Sequence, residues 1–267
     1  MIWLKRSAKV GLSVVGLPLL LVCLFLWFMQ ESLLFRGGVI PQNHVYPHLP
    51  GVQDLWLDRP DGARLHIARM EHPNPTGLML YFHGNAAHKG YLSGMVQLYG
   101  AMGYTVIGLD YRGFGKSTGA QGEADMLEDA IAFYDEVVPP GVQPLIVARS
   151  LGTSFATYVA SKRPVRQLVL YSPPSSIKDV AARHYPWAPA FLLRCPLRTD
   201  QFIAKVQAPV LIFHGTDDAV VPFESGVQLR GLLKPGDKFY AIQGGSHRDI
   251  PWRADVLKLL KKDLVSP

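Results

Sequence analysis

Residues 145–161 read Leu145-Ile146-Val147-Ala148-Arg149-Ser150-Leu151-Gly152-Thr153 and then SFATYVAS. The apolar run at 145–147 predicts a short buried strand, and the stretch 153–161 has helical spacing. Between them, residues 148–152 leave room only for a tight turn. A serine at such a corner projects from the end of the strand and faces the positive end of the helix dipole. The flanking residues must be small, and Ala148 and Gly152 are. By itself the position also suits a serine N-cap. A catalytic reading therefore needs further groups at the ends of other strands.

Working outward, short apolar runs bounded by turn residues recur at 78–82, 104–109, 144–148, 167–171, 209–213 and 238–242. Stretches with helical spacing lie among them at 124–137, 154–161, 224–233 and 254–264. Ahead of this series, VQDLWLD and ARLHIAR alternate around Pro60-Asp61-Gly62 and predict a hairpin. The expected architecture is α/β: a mostly parallel central sheet flanked by helices. Such sheets carry functional groups on loops beyond the carboxyl ends of their strands. Residues 172–205, with five prolines and no strand pattern, predict a small helical excursion over that edge.

The polar motifs fall at those ends. The strand ending at Phe213 is followed by His214-Gly215-Thr216-Asp217-Asp218-Ala219-Val220-Val221-Pro222, and the last strand by Gly244-Gly245-Ser246-His247. A serine nucleophile needs a base to take its proton and an acid to hold the base's tautomer. Ser150, Asp218 and His247 supply these in the chain order Ser…Asp…His of strand–turn–helix nucleophile elbows. The run His83-Gly84-Asn85-Ala86 after the strand at 78–82 supplies an oxyanion loop. One donor is the N–H of Leu151, and the other is assigned to Asn85, with Ala86 as the alternate. Two such donors aimed at a developing O⁻ lower a barrier by about several kcal/mol.

Taken together, FHGNAAH (82–88), LDYRGFGKSTG (109–119), ARSLGTS (148–154), HGTDDAVVP (214–222) and GGSH (244–247) resemble the α/β-hydrolase (abhydrolase) group of bud-emergence-type proteins and membrane-anchored animal abhydrolases. The resemblance spans about residues 50–264. It implies esterase or thioesterase chemistry, in some relatives on lipids or lipidated proteins, and its HGxxDxxVP pattern places the acid on Asp218 rather than Asp217. Two positions depart from the pattern: Ala148 and Ala87 stand where glycine is usual.

The N-terminal residues 10–29 (VGLSVVGLPLLLVCLFLWFM) carry no charge. As a helix they span about 30 Å, a bilayer's hydrocarbon thickness. Lys5, Arg6 and Lys9 precede the run, Trp3 and Trp27 lie near its ends, and no small-residue cleavage site follows. The expectation is an uncleaved signal anchor over 1–30 with the N-terminus cytoplasmic. A connector over 31–50 and a catalytic domain over 51–267 on the far side of the membrane follow from it.

The remaining chemistry is bland. Without the three N-terminal basic residues, 24 of the 27 Lys and Arg face 21 Asp and Glu, a balance that argues against a nucleic-acid partner. Cys23 and Cys195 are too few for a disulfide framework. No HExxH or ligand cluster predicts a metal, no cofactor is expected, and GFGKS at 113–117 lacks Walker A spacing. His83 and His214 are read as loop braces, His88 and His184 as pocket borders, and Asp110-Tyr111-Arg112-Gly113 as loop architecture. Arg149 suits either a substrate contact or a structural ion pair. The expected partners are a membrane and a small-molecule or lipid-like acyl substrate cleaved as an ester or thioester. The alternatives are a serine aminopeptidase-like peptidase and a non-catalytic scaffold of the same fold.

Overall fold

The structure, a computed structural model, describes residues 16–45, 51–85 and 91–264. Eight strands form one sheet: β1 (Gln53–Asp58), β2 (Arg64–Met70), β3 (Gly77–Phe82), β4 (Tyr104–Leu109), β5 (Leu145–Arg149), β6 (Gln167–Tyr171), β7 (Val210–Gly215) and β8 (Lys238–Ile242). Their order is β1-β2-β4-β3-β5-β6-β7-β8. The β1–β2 hairpin and the β2–β4 pair are antiparallel, and every other pair is parallel. The expected mostly parallel sheet with an antiparallel start is what forms. Gly62, at φ +86°, takes the left-handed turn of the hairpin that a side chain would resist.

The apolar runs become strands because both sheet faces are covered. Side chains alternate between faces along each strand. Leu80, Phe82, Ile146, Ala148, Leu168 and Leu170 join the core under the helices Glu123–Val137 and Gly152–Ala160. Met79, Tyr81, Leu145, Val147 and Val169 join the opposite core with Met95, Tyr99, Val256 and Leu260. The helix Glu123–Val137 has Glu123 and Asp125 in its first turn, where carboxylates suit the helix dipole.

The segment Tyr91–Gly100 was not expected to be helical, yet Tyr91–Met95 is an α-helix that widens into a π-turn over Val96–Gly100. Gly94 explains both the weak signal and the outcome. Glycine lowers helix propensity, but a methyl there would lie 2.4 Å from the Trp252 ring, so the bare backbone is what lets that ring pack.

Residues 172–205 form the expected helical excursion: Ile177–His184, a 3-10 turn at Ala190–Leu192, and Thr199–Ile203. Ser176 caps the first of these, its hydroxyl accepting from the Asp179 N–H at 3.0 Å. The excursion at 172–205 forms a cap beside the N-terminal helix Leu17–Leu34, which has a mean hydropathy of 1.9 and is long and apolar enough to cross a membrane. The helix continues past residue 30 to Leu34. Residues 10–15 of the apolar run lie outside the described residues. After the helix, Phe35 is buried, and Ile40 and Gly38 exchange main-chain hydrogen bonds with Gly115, so the chain lies against the domain.

Candidate active site

The strand order reverses at β3, which lies between β4 and β5. Sheets of this kind bind ligands at such a switch point, outside the carboxyl ends of the strands. There Phe82 pairs with Ala148, so the loop after β3 and the turn after β5 emerge side by side.

Ser150 sits on that turn with φ +51°, one of three non-glycine residues with positive φ among those described. Non-glycine residues pay for this conformation in strain, and such positions cluster at functional sites. Two anchors hold it. The Ser150 N–H donates to the Tyr171 carbonyl at 2.9 Å, and its carbonyl accepts from the Thr153 N–H at 3.0 Å. Gly152 is required by close approach, since a Cβ there would stand 2.3 Å from the Phe82 carbonyl oxygen and 2.4 Å from that of His83. Ala148 is fully buried and keeps its β5 register, so its methyl fits beside the turn.

His247 lies on the loop after β8, and its Nδ1 is 2.8 Å from Asp218 Oδ2. The other carboxylate oxygen, Oδ1, accepts from the N–H groups of Val220 at 2.9 Å and Val221 at 2.8 Å. Burial pushes the Asp218 pKa up, but His247, the Val221 N–H and Ser172 outweigh it and hold the carboxyl below its ordinary value. Asp217, by contrast, is exposed and accepts from the Thr216 hydroxyl at 3.0 Å. Of the two adjacent aspartates, Asp218 is the one that meets His247. The loops bearing them are packed backbone to backbone: Asp217 N–H donates to the Gly245 carbonyl at 3.0 Å, and a Cβ on Gly215 would stand 2.1 Å from that oxygen.

The loop after β3 touches the serine, because a Cβ on Gly84 would lie 3.4 Å from Ser150 Cβ. Among the described residues, the main-chain N–H groups of Asn85 and Leu151 meet no backbone acceptor. The Asn85 side chain points elsewhere: its Oδ1 accepts from the Arg36 N–H at 2.8 Å, and its Nδ2 donates to the Leu34 carbonyl at 2.5 Å. Only the main chain of Asn85 is therefore left for an oxyanion. Ala86, the alternate, lies outside the described residues, as do Ala87 and His88.

His83 and His214 do brace loops, His83 Nδ1 lying 2.7 Å from the Gly84 carbonyl and His214 Nε2 2.9 Å from that of Val221. Burial lowers the pKa of both. His184 reaches the Val220 carbonyl at 3.1 Å, joining the cap to the loop of Asp218. Asp110 accepts from the Lys116 N–H at 3.0 Å, and Arg112 pairs with Asp129, so that motif is loop architecture. The Tyr111 hydroxyl donates to the His83 carbonyl at 2.9 Å and fixes the base of the loop after β3. Cys195 is buried and its thiol pKa is pushed up to about 11, chiefly by burial, which leaves little nucleophilic thiolate.

Sequence reasoning missed one residue near the site, Ser172, and leaves Arg149 between two roles. Among the described residues Arg149 forms no ion pair, and its guanidinium donates to the main-chain carbonyl of His247 at 2.7 Å. Ser172 also has positive φ, +50°, at the end of β6. Its buried hydroxyl helps lower the Asp218 pKa, and the signal for it was only a serine between a strand and Pro173-Pro174.

Comparison with known proteins agrees with this architecture. Residues 73–199 match the Hydrolase_4 family, described as serine aminopeptidase, S33. An uncharacterized protein of Mycobacterium tuberculosis is 30% identical over 92% of this chain and 90% of its own length. The lysophosphatidylserine lipase ABHD12 of Xenopus tropicalis is 32% identical over 66% of this chain and 52% of its own, and that of Danio rerio 35% over 58% and 47%. The chain thus spans about half the length of these lipases. Among solved structures, the Pyrococcus furiosus esterase Pf2001 superposes with TM-score 0.67 at 17% identity, covering 85% of this chain and 98% of that one. Mouse alpha/beta hydrolase domain-containing protein 10 gives 0.60 at 19%, covering 78% and 95%. At such identities the structural likeness speaks for the fold alone. With the full-length relative and the motifs, it places this chain in the α/β-hydrolase (abhydrolase) superfamily, with a relationship to the ABHD12 lipases.

Proposed function

We propose that the chain is a membrane-anchored serine hydrolase that cleaves acyl esters of lipid-like substrates through an acyl-enzyme. The observation that carries the reading is the strained turn of Ser150 at the switch point, with the His247–Asp218 pair on the loops after β8 and β7 at the same edge of the sheet. In this reading Ser150 Oγ attacks the ester carbonyl while His247 Nε2 takes its proton. The His247 Nδ1–H donates to Asp218 and steadies the imidazolium that forms. The N–H groups of Leu151 and Asn85 hold the oxyanion. Collapse of the tetrahedral intermediate breaks the ester C–O bond, and His247 returns the proton to the departing alcohol. A water activated by His247 then releases the acid and restores Ser150. The reaction needs no cofactor.

Lipid-like esters are favoured over other substrates by the apolar N-terminal helix and by the lipase relatives. The test is fatty-acid release from a lysophospholipid, compared with amine release from an aminoacyl anilide. Release of fatty acid alone is expected. Turnover of the anilide alone would favour the aminopeptidase reading, for which the family description speaks. The basic residues Lys5, Arg6 and Lys9 favour a cytoplasmic N-terminus. A reporter fused after Pro267 is expected to be active only on the other side of the membrane, and activity confined to the cytoplasm overturns that topology.

A further inference from the structure

The N-terminal helix ends against the candidate site. The Asn85 side chain caps it, bonding the Leu34 carbonyl and the Arg36 N–H from the oxyanion loop, while Arg36 Nε donates to the Leu33 carbonyl at 3.1 Å. On the cap side, Gln30 is the one buried residue of the helix. It donates to the Leu192 carbonyl at 3.0 Å and accepts from the Arg194 N–H at 2.6 Å. Glu31 pairs with the Arg194 guanidinium at 2.6 Å, and that guanidinium lies 5.3 Å from the Trp27 ring centroid. The helix end is thus fixed to the cap on one side and to the oxyanion loop on the other.

Between these two attachments lies a cleft of about 270 Å³. That is close to the lower end of small-molecule sites, about 300 Å³. Leu26, Leu33 and Leu34 of the helix face Ala181, Ala188 and Leu193 of the cap across it, and its cationic side chains are Arg36 and Lys178.

We infer that this cleft holds the acyl chain of the substrate, an assignment that rests on the lipid-ester reading above. Its walls offer an alkyl chain apolar contact along their length. Its inner end adjoins the loop after β3, because Leu34 and Arg36, which line it, are bonded to the Asn85 side chain, and Gly84 next to Asn85 lies beside Ser150. Its outer rim carries exposed apolar and aromatic side chains. The helix exposes Leu20, Phe25 and Phe28 below the cleft, and the cap exposes Tyr185, Trp187 and Phe191 at 53%, 62% and 80%. Aromatic residues collect at the lipid–water boundary. The exposed aromatic residues beside the cleft suit a rim at the lipid–water boundary of a membrane entered by the N-terminal helix.

The test uses the full chain in lipid nanodiscs with p-nitrophenyl butyrate and p-nitrophenyl laurate. Ala181→Trp and Ala188→Trp each fill the cleft. In both, the ratio of kcat/KM for laurate to that for butyrate is expected to fall at least tenfold, while fluorophosphonate labelling reports that the fold persists. Ala181→Leu, a smaller plug, should lower the ratio about threefold and serves if the tryptophan variants do not fold. An unchanged ratio in a variant that still labels overturns the assignment. A wild type that cleaves neither ester overturns the hydrolase reading beneath it.

Discussion

The guanidinium of Arg149 donates to the main-chain carbonyl of His247 at 2.7 Å, joining the residue before the candidate nucleophile to the candidate base across 98 positions of sequence. The base loop is held on both flanks, by Arg149 and by the Asp217 N–H to Gly245 contact, so the imidazole is delivered by fixed backbone. Arg149 is in this account a positioning residue.

Its replacement should lower turnover without weakening binding. Arg149→Met is expected to reduce kcat about 100-fold, the scale of a displacement near 1 Å at reacting groups, with KM changed by about twofold or less. Arg149→Lys should recover part of the loss. An equal fall in both variants, or a change confined to KM, would contradict the positioning role.

The two aspartates separate cleanly. Asp218→Asn keeps the shape but reverses the tautomer preference of His247 and is expected to lower kcat about 10⁴-fold, as loss of the orienting acid does elsewhere. The Asp217 side chain is exposed and accepts from the Thr216 hydroxyl, and its main-chain bond to Gly245 does not need the carboxylate, so Asp217→Asn should change kcat by about twofold or less. Steady-state kinetics on one ester decide between them.

The lowered pKa of Asp218 also predicts an acid limb of stability. Its folded value lies below the unfolded one, about 3.9. The contribution is therefore fully present above the unfolded value and is lost as pH falls through the folded one. Urea midpoints measured from pH 6 to pH 3 should show a smaller acid loss in Asp218→Asn than in the wild type. Parallel curves would mean that this carboxyl is not held down in the folded state.

Gly152→Ala tests the packing of the elbow. The added methyl would meet main-chain oxygens of Phe82 and His83, which have no flexible end to yield. The expected loss is about 1–3 kcal/mol, the usual range for overpacking, with activity falling further because the oxyanion loop is displaced. A thermal melt and an ester assay check both parts.

Much of this was legible in the sequence because it is local. The parallel strands are continuous apolar runs, and Ser150, Asp218 and His247 each follow one, so chain order and strand ends suffice to propose them as a triad. The helix at Tyr91–Met95 was illegible because Gly94 weakens its local pattern, while the close approach of the Trp252 ring to that glycine is a contact no local pattern encodes. Arg149 and Ser172 act through loops brought together only by the sheet order. The Asn85 side chain shows the same limit: its motif marked the oxyanion loop, while its bonds to Leu34 and Arg36 depend on where the N-terminal helix ends.

The central claim is that Ser150 is an activated nucleophile. Labelling of the detergent-solubilised chain with a fluorophosphonate probe, wild type beside Ser150→Ala, tests it most directly. The account predicts a labelled wild type and an unlabelled variant. Equal labelling of both, or no labelling of a folded wild type, would contradict it.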